Sequence, residues 1–136
     1  MIENIVDSSD KLLHIVCRPN NEDRVDIVNP LEFIQVSYMN QSKDQYFKPH
    51  WHLERNVQYG FTITQETWIV IRGSVEVSYF DEDNTLIKRT VLNAGDCTIT
   101  LRGGHSYKSL ENDTLVYEIK NGPYVGRDKD KEYFQE

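Results

Sequence analysis

The feature that most constrains this chain is a succession of short strand-like runs separated by turn residues. The runs are rich in β-branched and aromatic residues, as β-strands are. Clusters of Asn, Asp, Gly and Pro stand between them, and no stretch sustains a helical apolar period over three turns. The pattern predicts an all-β fold of the sandwich or barrel type. The predicted strands cover residues 12–18, 32–39, 45–52, 66–80, 85–92, 96–101, 105–110 and 114–120.

The size and cysteine content of the chain fit a single domain. A chain of 136 residues is long enough to form one hydrophobic core without disulfide bonds. Cys17 and Cys97 lie far apart in the sequence and do not form a CxxC pair. We expect two buried, reduced thiols at these positions, with a disulfide as the alternative.

The charge and the hydropathy pattern restrict the partners. The net charge of −7 disfavours nucleic acid and anionic membrane surfaces as partners. The first residues lack a signal-peptide pattern, and no apolar segment approaches the roughly 20 residues that span a bilayer. We therefore expect a cytoplasmic protein that binds a small molecule.

Two histidines in the third predicted strand have the spacing of metal ligands. Side chains alternate between the two faces of a strand, so His50 and His52 point to the same face and Trp51 points to the other. Their α-carbons are separated by about 6.6 Å along the strand. Two imidazoles at that separation can converge on one ion at about 2.0–2.1 Å. Structural histidines can show the same spacing, so the pair alone does not establish a metal site.

Two further residues at strand starts complete a candidate ligand set. Glu66 begins the long run 66–80, and His105 begins a later strand after a turn of two glycines. Burying several ionisable groups without partners is costly, so their convergence on a cation is a reasonable explanation. The predicted ligands of a divalent metal are His50, His52, Glu66 and His105.

These residues resemble the two motifs of the cupin superfamily. The first cupin motif reads His-x-His, then Glu, then six residues and Gly. Its places are taken by His50, His52, Glu66 and Gly73. The second motif runs from Gly-Asp through a turn to His, and its places are taken by Gly95, Asp96, Gly103 and His105. The resemblance implies a double-stranded β-helix, or jelly-roll barrel, over residues 32–120, with an N-terminal segment 1–30 and a tail 121–136.

The resemblance also suggests a setting for the function and leaves one ligand open. The segments KPHWH, TQE, LRGGH and KNGPYVG are similar to segments of small bacterial cupins. Such cupins are often associated with surface-polysaccharide and sugar-biosynthesis genes. The gap of 13 residues between His52 and Glu66 is longer than is usual in cupins. Glu54 lies in that gap and is a rival for the position of the carboxylate ligand. Leu101 stands where the second motif usually has Pro.

Three functions are compatible with such a site. The first is an isomerase or epimerase acting on a carbohydrate or sugar nucleotide, in which Fe, Mn, Ni, Co or Zn polarises a carbonyl group. The second is a mononuclear iron dioxygenase, and the third is a non-catalytic module that senses a sugar or a metal. Metal-free cupin epimerases, which use a histidine base and a tyrosine acid, imply a further alternative in which His50 or His105 is the base. The candidates for a catalytic acid or base beside a metal are Tyr107, Tyr46 and Glu54.

Three residues near the predicted metal ligands are candidates for binding the substrate. Because side chains alternate between the two faces of a strand, each of the three shares a face with a predicted ligand. Each has a structural alternative, since a barrel interior needs filling residues and an Arg near a strand end is commonly solvated. These candidates are Lys48, Arg72 and Tyr107. His14 lies outside both motifs and is predicted to be a structural or surface histidine.

The two ends of the chain carry weaker signals. The first 30 residues are polar around one predicted strand, and they are compatible with an edge strand or with an arm exchanged in a homodimer. The tail mixes charges with Tyr133 and Phe134, and these two aromatic residues predict that it packs back onto the barrel.

Overall fold

The computed structural model describes residues 1–53, 63–122 and 126–135, and within these ranges the protein is all-β apart from one short helix. The predicted all-β class is therefore confirmed. The strands are β1 (Ile2–Val6), β2 (Leu12–Cys17), β3 (Arg24–Asp26), β4 (Ser37–Met39), β5 (Glu66–Arg72), β6 (Ser74–Phe80), β7 (Leu86–Asn93), β8 (Cys97–Thr100), β9 (Gly104–Ser109) and β10 (Leu115–Lys120). The helix α1 spans Arg127–Asp130. None of the described helical segments is long and apolar enough to cross a membrane.

The strands form two main sheets and one small hairpin, and every pairing is antiparallel. The larger sheet has the order β1-β2-β8-β5-β10, the smaller one has the order β7-β6-β9, and β3 pairs with β4. The chain passes between the two main sheets at Gly73, which separates β5 from β6 with a φ of +75°. It passes again at Gly103, between β8 and β9, with a φ of +78°.

Two apolar layers hold these sheets together. One layer joins β1, β2 and β5 to β6 and β7, and it includes the buried residues Ile5, Val16, Trp68, Val70, Val75, Val77, Tyr79 and Leu92. The other covers the opposite face of the larger sheet with the segment around β3 and β4. The centre of the larger sheet is consequently buried on both faces: Cys97 and Ile99 of β8 belong to the second layer, and Thr98 and Thr100 are buried on the other face.

The two cysteines lie in this buried centre. Cys17 on β2 and Cys97 on β8 are register partners, and both are free and buried. Burial raises the pKa of the Cys97 thiol to about 12, so that it stays a thiol at neutral pH. The expectation of buried, reduced cysteines is confirmed.

Two predicted runs differ from the structure. Residues 45–52 have no regular secondary structure and are exposed, and only the end of the run 32–39 forms a strand, β4. A strand needs a neighbour to pair with, and the segment 45–52 is paired with none of the described strands. Pro49 also lacks the amide hydrogen that a strand residue donates to its ladder.

The segments near both ends of the chain pack against the two main sheets. β1 is the edge strand of the larger sheet, which is one of the two arrangements that the N-terminal segment allowed. At the other end, the ring of Phe134 contacts the ring of Phe80 with their centroids 5.0 Å apart. The tail therefore packs on the sheets through Phe134, whereas Tyr133 remains exposed.

Two glycines allow a matched test of the turn into β9. A Cβ at Gly103 would lie 2.4 Å from the carbonyl oxygen of Phe80, whereas a Cβ at Gly95, where φ is +94°, would meet nothing within 4 Å. Either Gly→Ala change costs about 1–2 kcal/mol for the positive φ. We expect Gly103→Ala to lower the free energy of unfolding by about 1–3 kcal/mol more than Gly95→Ala, because β6 must move. Urea denaturation measures this difference, and equal losses would contradict the clash.

Candidate functional site

The register of the larger sheet places four polar side chains in one row. His14 on β2 is the partner of Thr100 on β8, and Thr100 is on its other side the partner of Glu66 on β5. Glu66 is in turn the partner of Lys120 on β10. Residues directly opposite each other in paired strands point to the same face. The first three of these side chains are buried.

His105 reaches this row from the smaller sheet. Its Nδ1 lies 2.8 Å from the Thr100 hydroxyl oxygen, and its Nε2 lies 3.5 Å from Oε1 of Glu66. The imidazole also stacks on the indole of Trp68, with ring centroids 4.0 Å apart and an angle of 9° between the planes. The stacking and the hydrogen bond together fix the orientation of the His105 ring.

The carboxyl group of Glu66 is buried without a full set of partners. Only 6% of the residue is exposed, and Oε1 has no hydrogen-bond partner among the described residues. Burial raises the pKa of Glu66, and the charge of Glu118 acts in the same direction, against the lowering influence of Lys131 and Lys120. An unsatisfied buried polar atom costs about 1–3 kcal/mol. Oε1 is therefore a buried carboxylate oxygen at the inner wall of the site, with no hydrogen-bond partner in the described part of the chain.

Both histidines of the site are neutral at neutral pH. Burial lowers the pKa of His105 to about 3 and that of His14 to about 4. His14 is completely buried, and its ring lies 5.0 Å from the ring of Tyr79. Its two nitrogens lie 3.1 Å from the Thr100 hydroxyl and 3.2 Å from the Phe80 carbonyl oxygen. Of the two predicted roles, the structure assigns His14 the structural one and places it beside the site.

An open pocket of about 880 Å³ lies over Glu66 and His105. Its walls come from β5, β6, β8, β9, α1 and the tail, and aromatic residues supply much of the lining: Trp68, Phe80, Tyr107, Tyr133 and Phe134. Carboxylates prevail among its charged side chains. Within the described part of the chain, five acidic residues line the pocket (Glu66, Asp81, Glu82, Asp130 and Glu132) against one Lys, Lys131.

The structure brings together two of the four predicted ligands, Glu66 and His105. His50 and His52 are exposed on the irregular segment before residue 54, with their ring centroids 5.3 Å apart. Neither histidine is among the described residues that line the pocket. The Nδ1 of His50 lies 2.9 Å from the Lys48 carbonyl oxygen, which can only accept, so this nitrogen carries the hydrogen.

The remaining candidates fall in three places. Tyr107 lines the pocket, with its ring edge-on to Trp68 at 4.8 Å. Tyr46 and Lys48 are exposed on the same irregular segment as His50. Arg72 lies at the far end of β5, about 20 Å along the strand from Glu66, and its Nε donates to the Asp113 carbonyl oxygen. Glu54 lies outside the described residues.

His14 and Thr100 were not among the residues predicted for the site. A signal for His14 is present in the sequence, because it is the one residue other than Cys17 inside the run LLHIVC that can ionise. Such a residue in an apolar strand requires a buried hydrogen-bond partner. The sequence does not say which residue that partner is, because the pairing of β2 with β8 joins positions 86 residues apart.

A second group of acidic residues lies at the pocket mouth. Carboxylate oxygens of Asp7, Asp81 and Glu82 lie within 4.8 Å of one another. Lys11 contacts Glu82 at 2.5 Å and supplies a positive charge to this group. Acidic groups of this kind are common at protein surfaces without a bound ion.

Comparison with known proteins does not assign this chain to a family: no family model, curated protein or solved structure matches it. The functional proposal therefore depends on the chemistry of the site.

The depressed pKa values of His14 and His105 predict a stability that falls in acid. Between about pH 6.5 and pH 4 the unfolded chain binds protons on these histidines and the folded chain does not. Stability consequently rises with pH in this window, by about 1.4 kcal/mol per pH unit for each histidine. Urea denaturation with a chelator present, at pH 7.5 and pH 5.0, measures the difference.

Glu66 acts in the opposite direction, because a raised pKa stabilises the fold at low pH and this contribution is lost as pH rises. Repeating the measurement with Glu66→Gln removes that contribution and leaves the effect of the histidines. Equal stability of this variant at the two pH values would contradict the burial of two neutral histidines.

Proposed function

We propose that this chain is a small cupin-type protein that binds a divalent transition metal and acts as an isomerase- or epimerase-like enzyme on a small carbohydrate. The observation that supports the metal site best is the pair formed by Glu66 Oε1 and His105 Nε2, 3.5 Å apart on the wall of an open pocket. A carboxylate and a neutral imidazole are both ligands of Fe, Mn, Co, Ni and Zn. A carboxylate and the lone pair of an imidazole face each other stably only when a proton or a cation lies between them.

The donor set fits such an ion. Oε1 of Glu66 is buried at the site and has no hydrogen-bond partner among the residues that the structure describes. The depressed pKa of His105 keeps its imidazole in the neutral form that metals bind. His50 and His52 would complete the set of ligands. The Nδ1–H of His50 donates to the Lys48 carbonyl, which leaves its Nε2 available to an ion.

A jelly-roll barrel would bring the two pairs of ligands together. From β5 to β10 the chain passes repeatedly between the two main sheets, with β5, β8 and β10 in one and the hairpin β6-β7 and β9 in the other. Among the described strands, β9 lies at the edge of the smaller sheet, and the backbone groups on its outer side have no strand partner there. We propose that residues 45–52 add to this edge, which would place His50 and His52 on the strand next to His105.

The ion would act as a Lewis acid on a substrate carbonyl when bound. The residues of the chain would bind and orient the substrate. Trp68 and Tyr107 offer aromatic surfaces beside His105, and the Tyr107 hydroxyl is the candidate for moving a proton. The excess of carboxylates in the pocket favours a neutral polyol or hydroxy-ketone over the diphosphate of a sugar nucleotide.

A metal-free epimerase with His105 as base and Tyr107 as acid is the second candidate. The observation in its favour is that both side chains project from β9 into one pocket and contact Trp68. A general base works best when its pKa lies near the operating pH. The pKa of His105, lowered to about 3, makes it a weak base, so the metal-dependent function ranks first.

Metal binding is tested by elemental analysis of protein purified without added metal and by titration with Co²⁺. Trp51→Phe is the background for the titration, because Trp51 is exposed and Trp68 then reports fluorescence from the site. We expect one ion per chain. Glu66→Gln and His105→Gln should each weaken binding by more than about 100-fold, the upper range for removing an outer-shell partner.

Glu82→Gln is the matched control, since it removes a carboxylate from the same pocket but outside the ligand set, and it should leave affinity unchanged. His50→Ala, His52→Ala and Glu54→Gln decide the rest of the set. Unchanged affinity in both Glu66→Gln and His105→Gln would overturn the metal site. Loss in those two variants with full affinity in His50→Ala and His52→Ala would refute the addition of residues 45–52.

Activity is tested by incubating the metal-loaded protein with small hydroxy-ketones and aldoses in deuterated water. An isomerase should exchange a substrate proton and be indifferent to oxygen, and Tyr107→Phe should lower the exchange rate by about 10²–10⁴-fold. Oxygen uptake only by the Fe²⁺-loaded protein would favour a dioxygenase instead. Saturable binding without turnover would favour a sensor.

A further inference from the structure

We propose that His14 and Thr100 are positioning residues that hold His105 in a single tautomer, with a hydrogen on Nδ1 and a bare Nε2 facing Glu66. The tautomer follows from hydrogen bonds between the two sheets and does not depend on the proposed function. Its use in presenting a metal ligand does rest on that function.

The chain of bonds starts at the backbone carbonyl of Phe80. The Nε2 of His14 lies 3.2 Å from this oxygen, which can only accept a hydrogen bond, so Nε2 carries the hydrogen. His14 is completely buried, and its pKa of about 4 keeps it neutral at neutral pH. A neutral imidazole has one N–H, so the Nδ1 of His14 is bare.

Thr100 continues this chain of hydrogen bonds, in the same donor-to-acceptor order, to the other sheet. The bare Nδ1 of His14 lies 3.1 Å from the Thr100 hydroxyl and can only accept, so the single hydroxyl hydrogen points to His14. The Thr100 oxygen then offers only lone pairs to the Nδ1 of His105, at 2.8 Å. This nitrogen must therefore carry the hydrogen. A neutral imidazole carries a single N–H, so the Nε2 of His105 is then bare and faces Oε1 of Glu66 at 3.5 Å.

The packing of His105 directs its bare Nε2 toward the position where a metal ion would bind. Stacking on Trp68 holds the ring plane, and the bond to Thr100 holds the rotation within that plane, so the Nε2 lone pair is aimed at the space beside Glu66 Oε1. The nitrogen that binds a metal is set by the hydrogen bond that the other nitrogen makes. Without the Thr100 hydroxyl, the two tautomers of His105 would interchange.

The tautomers are measured directly by long-range ¹H–¹⁵N correlation spectra of ¹⁵N-histidine-labelled protein, at pH 7.5 with a chelator. We expect His105 to show a protonated Nδ1 and a bare Nε2, and His14 to show the opposite. Thr100→Val should shift the ¹⁵N chemical shifts of both His105 ring nitrogens toward averaged values. Thr100→Ser retains a hydroxyl and should keep the original signals. A protonated Nε2 on His105, or unchanged spectra in Thr100→Val, would overturn the proposal.

Thr98→Val is the matched control. Thr98 lies two residues earlier on β8, is 1% exposed, and its hydroxyl bonds to the Tyr79 hydroxyl at 3.0 Å. The substitution removes a buried hydroxyl of the same kind without touching either histidine of the chain of bonds. It should leave the His105 signals in place, and an equal disturbance in both variants would mean that Thr100 has only a structural role.

Metal affinity supplies the second readout. Thr100→Val should weaken Co²⁺ binding about 10–100-fold, the range for losing an outer-shell partner, and Thr98→Val should not. A protein that shows the expected tautomer and binds no metal would refute the proposed function and support the positioning of His105. A protein that binds metal with equal affinity in both Thr variants would refute the positioning role alone.

Discussion

The antiparallel register of β8 with its two neighbours is the constraint on which the rest of the site depends. It fixes His14, Thr100 and Glu66 side by side on one face of the larger sheet. A shift of one residue would turn Thr100 to the opposite face, where Ile99 packs in the second apolar layer. The same register that buries the core of the sheet therefore assembles the polar row.

Burial favours the uncharged forms of the histidine and glutamate side chains at the polar row, and ion pairs contribute less to its stability. The buried His14 and the half-buried His105 beside the row are both neutral, and the carboxyl group of Glu66 has a raised pKa. Each of these shifts has burial as its largest cause, because charged forms are poorly solvated between two packed sheets. A site of this kind gains most from a ligand that brings its own positive charge to Glu66, which is the physical basis for preferring a cation there.

Much of the strand pattern could be predicted from the sequence, and parts of the site could not. The runs at 66–80, 85–92 and 114–120 formed strands because apolar residues and turn signals there agree with what the sheets bury. Residues 45–52 show the limit of that reasoning, since a strand-like pattern says nothing about the partner that a strand requires. Glu66 and His105 were identifiable from spacing. Thr100 was not, since its role arises only from contacts across two sheets.

The pocket draws its wall from parts of the chain that are distant in sequence. Glu66 and His105 meet there, His14 lies behind them and is linked to His105 through Thr100, and Phe134 closes against Phe80 and Gly104. Contacts of such long sequence separation form late and slowly, because the loops between them must first be closed. During synthesis, the carboxyl group of Glu66 and its aromatic surroundings would therefore stay open to solvent until residue 134 has left the ribosome. Completion of the site is in this sense one of the final events of folding.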